Sequence, residues 1–164
     1  MPVRHHTMAP SKLLSEVLAS AIAEAKQCQV PIFTFALYHD HESEAVSVCI
    51  DTEENSNRVV RSINDYNMKH FMNAARAGDL KSASLWQANI GRSLSLGDFS
   101  MVNLARRPLE GIQATDHFYA EMVQSVIAVQ DQVAALSPEA KRLVFACSGA
   151  DDEASYVWSL PADA

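Results

Sequence analysis

The spacing of apolar residues changes several times along this chain, and each change marks an element. Between residues 11 and 27, Leu14, Val17, Leu18, Ala21, Ile22 and Ala25 recur at three- and four-residue steps. Glu16, Glu24 and Lys26 fall off that stripe, so the stretch predicts a helix with one face on a core. Ser11, following Pro10, is placed to cap it. Pro31 then opens a different pattern. Residues 32–38 and 45–50 are rich in β-branched and aromatic side chains, and six polar residues, His39-Asp40-His41-Glu42-Ser43-Glu44, separate them. Two such runs across a short polar gap predict an antiparallel hairpin. In the second run Val46, Val48 and Ile50 alternate with Ala45, Ser47 and Cys49. The first alternates less cleanly, as a central strand buried on both faces would.

The acidic lead-in after Asp51 gives way to a second helical period. Asn55 or Ser56 is expected near its cap; Val59, Ile63, Tyr66, Asn67, His70, Phe71 and Ala74 form the stripe, and Gly78 ends it. Residues 83–90 read as a strand centred on Trp86, and residues 91–97 as a loop. Asp98 is expected to cap a short helix carrying Phe99, Val102 and Leu104 or Ala105, ended by Arg106-Arg107-Pro108. Thr115 caps a long helix to about Leu136 with the stripe Phe118, Met122, Val126, Val129, Val133 and Leu136. Ser137-Pro138-Glu139 starts a further helical turn. Residues 143–147 and 155–160 form a second hairpin around the turn 148–153.

Helices that alternate with hairpins predict an α+β fold: an antiparallel or mixed sheet built from two hairpins and packed by three main helices. Residues 1–10 are expected to be a flexible N-terminus and residues 11–164 a single domain. No apolar run approaches the roughly 20 residues that span a bilayer, and the first residues lack the pattern of a secretory signal. Three widely spaced cysteines, Cys28, Cys49 and Cys147, read as reduced thiols of a cytoplasmic protein.

Charge adds what periodicity does not show. The chain carries −7 overall, unevenly distributed. Residues 1–54 hold 3 basic and 8 acidic groups, residues 55–109 hold 8 and 3, and residues 110–164 hold 2 and 9. An acidic whole argues against a nucleic-acid binder and suits a basic protein partner. Arg58, Arg61, Lys69, Arg76, Arg92, Arg106 and Arg107 are the basic counterpart.

Two polar turns are the candidate sites. His39 and His41 would share a face if the strand continued, as metal-ligating imidazoles do, but the segment sits at a turn and completes no ligand set. Asp151-Asp152-Glu153 lacks the remaining positions of a calcium loop. Together the two tips make a better joint hypothesis: an acidic docking surface of Asp40, Glu42, Glu44, Asp151, Asp152 and Glu153, extended by Glu53 and Glu54. The two tips must then lie at the same end of the sheet. No phosphate loop, dinucleotide fingerprint or nucleophile elbow occurs. Cys49 and Cys147 sit in apolar strands, where a thiol acts as a small hydrophobe. Trp86 and Trp158 are expected to pack in the core. The sequence thus assigns no catalytic residue, metal or cofactor.

The segments FTFALYHD, VSVCIDTEEN, GDFSMVNLA and LVFACSGADDEASYVWSL, in that order, resemble an uncharacterised bacterial domain family linked to immunity proteins of contact-dependent and type VI toxin systems. Of that family's second tryptophan motif, only Trp86 stands here. The resemblance implies a cytoplasmic, non-enzymatic immunity protein that occludes the active site of a cognate toxin, and the acidic surface suits a toxin that is a basic enzyme such as a nuclease. The alternative is a stand-alone ligand-binding or regulatory domain, homodimeric through apolar surface.

Overall fold

The strand that occupies the centre of the sheet, β1 (Thr34–Asp40), is the one whose sequence alternates least. In the computed structural model, which describes residues 9–151 and 153–161, β1 pairs antiparallel with β2 (Ala45–Asp51) and parallel with β4 (Val144–Cys147). The edges are β3 (Met101–Pro108), antiparallel to β2, and β5 (Tyr156–Ser159), antiparallel to β4. The order β3-β2-β1-β4-β5 makes a mixed five-stranded sheet. With four α-helices among the described residues, the fold is α+β.

The chain divides into two compact units, one formed by residues 1–52 and 95–164, the other Glu53–Leu94. In the first, α1 (Pro10–Cys28) and α4 (Asp116–Leu136) cover one face of the sheet. Leu14, Val17, Leu18 and Ala21 of α1 and Phe118, Met122, Val126 and Val133 of α4 meet Phe35, Leu37, Val46, Val48, Ile50, Phe145 and Cys147. Each large side chain fully buried there contributes about 1.5–3 kcal/mol. On the opposite face Ala36, Cys49 and Ala146 pack with Leu96 and Phe99. Short side chains in the strands suit that second, thinner layer.

Several elements depart from the periodic reading. Ser11 does not cap α1. Pro10 occupies the first helical position, Ala9 is the cap residue, and the Ser11 carbonyl accepts a bond from the Ser15 hydroxyl (2.8 Å); proline's fixed φ is already helical there. Residues 98–105 form no α-helix; Asp98 ends a 3-10 turn, Leu96–Asp98, instead of capping one. From Met101 the chain enters β3, because hydrogen bonding to β2, with Ala45 opposite Pro108 and Val48 opposite Ala105, outweighs local preference. Asn103 (φ 58°) marks an irregularity in this edge strand, where the register shifts. Thr115 does cap α4, its side chain accepting from the Phe118 amide (3.4 Å).

The second unit holds α2 (Glu53–Arg76) and the one-turn α3 (Leu80–Ala83), followed by a 3-10 turn, Ser84–Trp86. α2 begins before Asn55 and Ser56; Glu53 and Glu54 in its first turn complement the positive end of the helix dipole. The expected strand around Trp86 is absent. Gly78 takes a left-handed φ of 74°, and Asp79 caps α3 by accepting the Ser82 amide (3.0 Å) and hydroxyl (2.6 Å). A short apolar run carries no period of its own, and this local capping decides it. Residues 87–93 then run back along α2 as an extended strap. The Asn64 amide group bonds both the N–H (2.8 Å) and the carbonyl (2.9 Å) of Asn89. Asn67 donates to the Gln87 carbonyl (3.2 Å), and the buried Ser56 hydroxyl accepts the Ser93 amide (2.9 Å). Trp86 stacks on His70 (4.5 Å between centroids) and meets Tyr66 edge-on.

Candidate functional site

Parallel pairing of β1 with β4 has a direct geometric result. Both strands point the same way, so the turn after β1 and the turn after β4 leave the same end of the sheet. The register makes this concrete: Leu37 lies opposite Cys147, and the Ser148 amide donates to the Leu37 carbonyl (3.1 Å). In return the Ser148 hydroxyl accepts the His39 amide (2.7 Å). The turns face each other across a cleft of about 130 Å³ lined by Tyr38, His41, Ser148, Asp151 and Glu153, among others.

The six residues expected to form a docking surface are placed differently. Glu42, Glu44, Asp151 and Glu153 are exposed. Asp40 is committed to the fold. One oxygen accepts the amides of Glu42 (3.1 Å) and Ser43 (3.2 Å), and the other pairs with Arg106 (3.0 Å). The Ser43 amide, more than Arg106, holds its carboxyl below the usual range. Asp152 lies outside the described residues. Glu53 and Glu54 follow Thr52 in the chain and open α2 of the second unit.

Two acidic residues that the periodic reading passed over join this end. The Leu109 amide donates to the Glu44 carbonyl (2.8 Å), which brings Glu110 beside the first turn. Asp116 begins α4, whose first turn reaches the sheet end through Tyr119. Burial, then the charges of Asp151, Tyr156 and Asp116, raise the Tyr119 pKa. The sequence carries a signal for them: residues 108–140 contain no lysine or arginine.

Beneath the turns lies His39, 4% exposed. Its Nδ1 is 2.9 Å from the Tyr119 hydroxyl, and its ring lies 4.1 Å from that of His41 and edge-on to Phe118. Burial is the main cause that lowers its pKa, reinforced by His41 and opposed by Asp40 and Glu44. The two imidazoles do share a side of the strand. Among the described residues, however, no group of three or more His, Cys, Asp or Glu side chains is placed to hold a metal ion. Cys147 is buried and its thiol is pushed up to about 12, as suits a hydrophobe and not a nucleophile.

Backbone conformation singles out two of the glutamates. Glu44 (φ 46°) and Glu110 (φ 52°) both occupy the left-handed region. A residue with a Cβ is disfavoured there by roughly 1–2 kcal/mol, and glycine or asparagine is the usual occupant. Two carboxylates are therefore held at the acidic end against the local preference.

Neither tryptophan is fully buried. Trp158 is part-buried, stacks on Phe145 (5.7 Å), and donates its indole N–H to Gln130 (3.2 Å). No helix of the described residues is long and apolar enough to cross a membrane. No protein-family model matches this chain, and no curated protein or solved structure matches it either.

Proposed function

We propose that this chain is a cytoplasmic binding protein of the immunity type, which neutralises a basic toxin by covering its active site with the acidic end of the sheet. One observation carries the reading: the parallel β1–β4 pair sets Glu42 and Glu44 beside Asp151 and Glu153 at a single end. Their summed field attracts a cationic cleft, such as the substrate groove of a nuclease, and speeds association. Strain at Glu44 and Glu110 supports a role for those carboxylates beyond the fold, since conformational cost concentrates at functional sites. The immunity role itself rests on the sequence resemblance. Asp40 is the scaffold of the first turn in this scheme, and Glu42, Glu44, Asp151 and Glu153 are the contact groups.

The test is co-expression with the toxin-like product of the neighbouring gene. The expected result is rescued growth and a co-eluting complex whose association rate falls steeply as ionic strength rises. The double variant Glu42→Lys, Asp151→Lys is expected to slow association by roughly tenfold or more, as loss of steering does. Neither rescue nor complex, or a charge-reversed variant that binds at the same rate, overturns the proposal.

A further inference from the structure

Residues 53–94 expose apolar side chains far beyond what a soluble surface needs. Ile90 is 100% exposed, Leu85 76%, Leu80 71%, Met68 58% and Tyr66 56%. Scattered exposed apolar residues mean little, but a cluster of large ones marks an interaction surface. Part of this cluster lines a groove of about 470 Å³ between α2 and the strap, walled by Met68, Phe71, Trp86, Ala88 and Ile90. That volume lies within the range of binding clefts, roughly 300–1,000 Å³.

The groove is preformed. Asn64 spends its amide on the backbone of Asn89, Asn67 bonds the Gln87 carbonyl, and the Tyr66–His70–Trp86 stack pins the start of the strap. These polar groups are thus taken up in holding the wall, and an occupant is held by apolar contact.

Charge decides what kind of occupant fits. At 100° per residue, positions 64, 68, 71 and 75 share the α2 face beneath the groove. The adjoining band away from the strap holds Arg58, Arg61, Asp65, Lys69, Met72 and Arg76. With Glu54 at the start of the helix, four cations against two carboxylates run along this side, and all four cations are exposed. We infer that the groove docks an acidic amphipathic helix of a partner protein: apolar anchors at i, i+3, i+4 and i+7 enter between Met68, Phe71 and Ile90, and carboxylates along one flank meet Arg61 and Lys69. A concave, preformed cleft suits inserted side chains better than a flat lipid surface. The chain's net charge of −7 also opposes an extended polyanion or an anionic membrane, which a helix with a few carboxylates is not.

A labelled peptide helix of about five turns, with leucines at those positions and glutamates along one flank, is the probe. Its anisotropy is titrated with the full chain, beside an otherwise identical peptide with lysines for glutamates. The acidic peptide is expected to bind at least roughly tenfold more tightly, and Ile90→Glu and Phe71→Glu each to weaken it by a similar factor. Ile90 is fully exposed, so Ile90→Glu keeps the native melting temperature and carries the test if Phe71→Glu does not fold. Equal affinity for both peptides, no binding of either, or binding unchanged by Ile90→Glu overturns the inference. Concentration-dependent dimers abolished by Ile90→Glu assign the groove to a second copy of the chain. Phosphatidylserine vesicles that bind through the same residues assign it to a membrane. Either result overturns the helix.

Discussion

A glutamate in the left-handed region gives up stability for its charge, and at Glu44 and Glu110 the trade can be measured. Glycine adopts that conformation without a Cβ clash but loses more entropy on folding. Glu44→Gly and Glu110→Gly are therefore expected to stabilise the fold by about 0.5–1 kcal/mol each, read from urea midpoints, while slowing association with a basic partner. A destabilised Glu110→Gly would mean the carboxylate has a structural duty instead. His39 gives the acidic end a pH response. Burial holds its pKa below the ordinary 6.5, so the unfolded chain takes up the proton first as pH falls. Its contribution is complete above about pH 6.5 and is lost on acidification through the window below it. His39→Asn keeps a polar partner for Tyr119 and is expected to flatten stability between pH 7 and 5. An unchanged slope would place that dependence elsewhere.

Among the elements, the turn between β4 and β5 depends on one glycine. A Cβ on Gly149 would stand 2.6 Å from the Ser155 hydroxyl oxygen and 2.8 Å from its Cβ. Gly149→Ala is thus expected to cost about 1–3 kcal/mol and to displace Asp151 and Glu153, seen as a lower melting temperature together with weaker docking. The elements that could be read from the chain are those with a period: α1, α2, α4 and both hairpins. The stripes of α1 and α4 bury largely as spaced, because they face the sheet; that of α2 does not, since only Ser56 and Val59 of that helix are buried while Tyr66 and Phe71 stay exposed. β3 could not be read, since Val102 and Leu104 fit a helix or a strand equally until β2 supplies its hydrogen bonds. Trp86 misled for a related reason: its partners, Tyr66 and His70, lie on a helix some twenty residues earlier. Of the acidic end, the two turns were legible from composition. Their adjacency was not, because it follows from strand direction, and neither were the positive φ values of Glu44 and Glu110.

For the molecule as a whole, thiol chemistry reports on integrity. Cys28 is exposed, while Cys49 and Cys147 are buried within the sheet. One thiol is expected to react with an aromatic disulfide reagent in the native protein, slowed by the Glu24 carboxylate that raises its pKa. The other two are expected to react only as the sheet opens, since burial raises both thiols, that of Cys147 to about 12, and leaves little thiolate. Two fast thiols in native buffer would contradict the burial described.

The parallel pair β1–β4 also sets the order in which this chain matures. The β1–β2 hairpin closes over four residues, but Thr34 meets Val144 only after more than one hundred intervening residues have been synthesised and gathered. Closing so long a loop is entropically late and kinetically slow. Until then the turn at Glu42 has no counterpart at Asp151, and half the acidic end stands alone. Under the proposed function, competence to bind a basic partner would therefore arrive last, and a nascent or misfolded chain would lack the joined acidic end with which to engage a target.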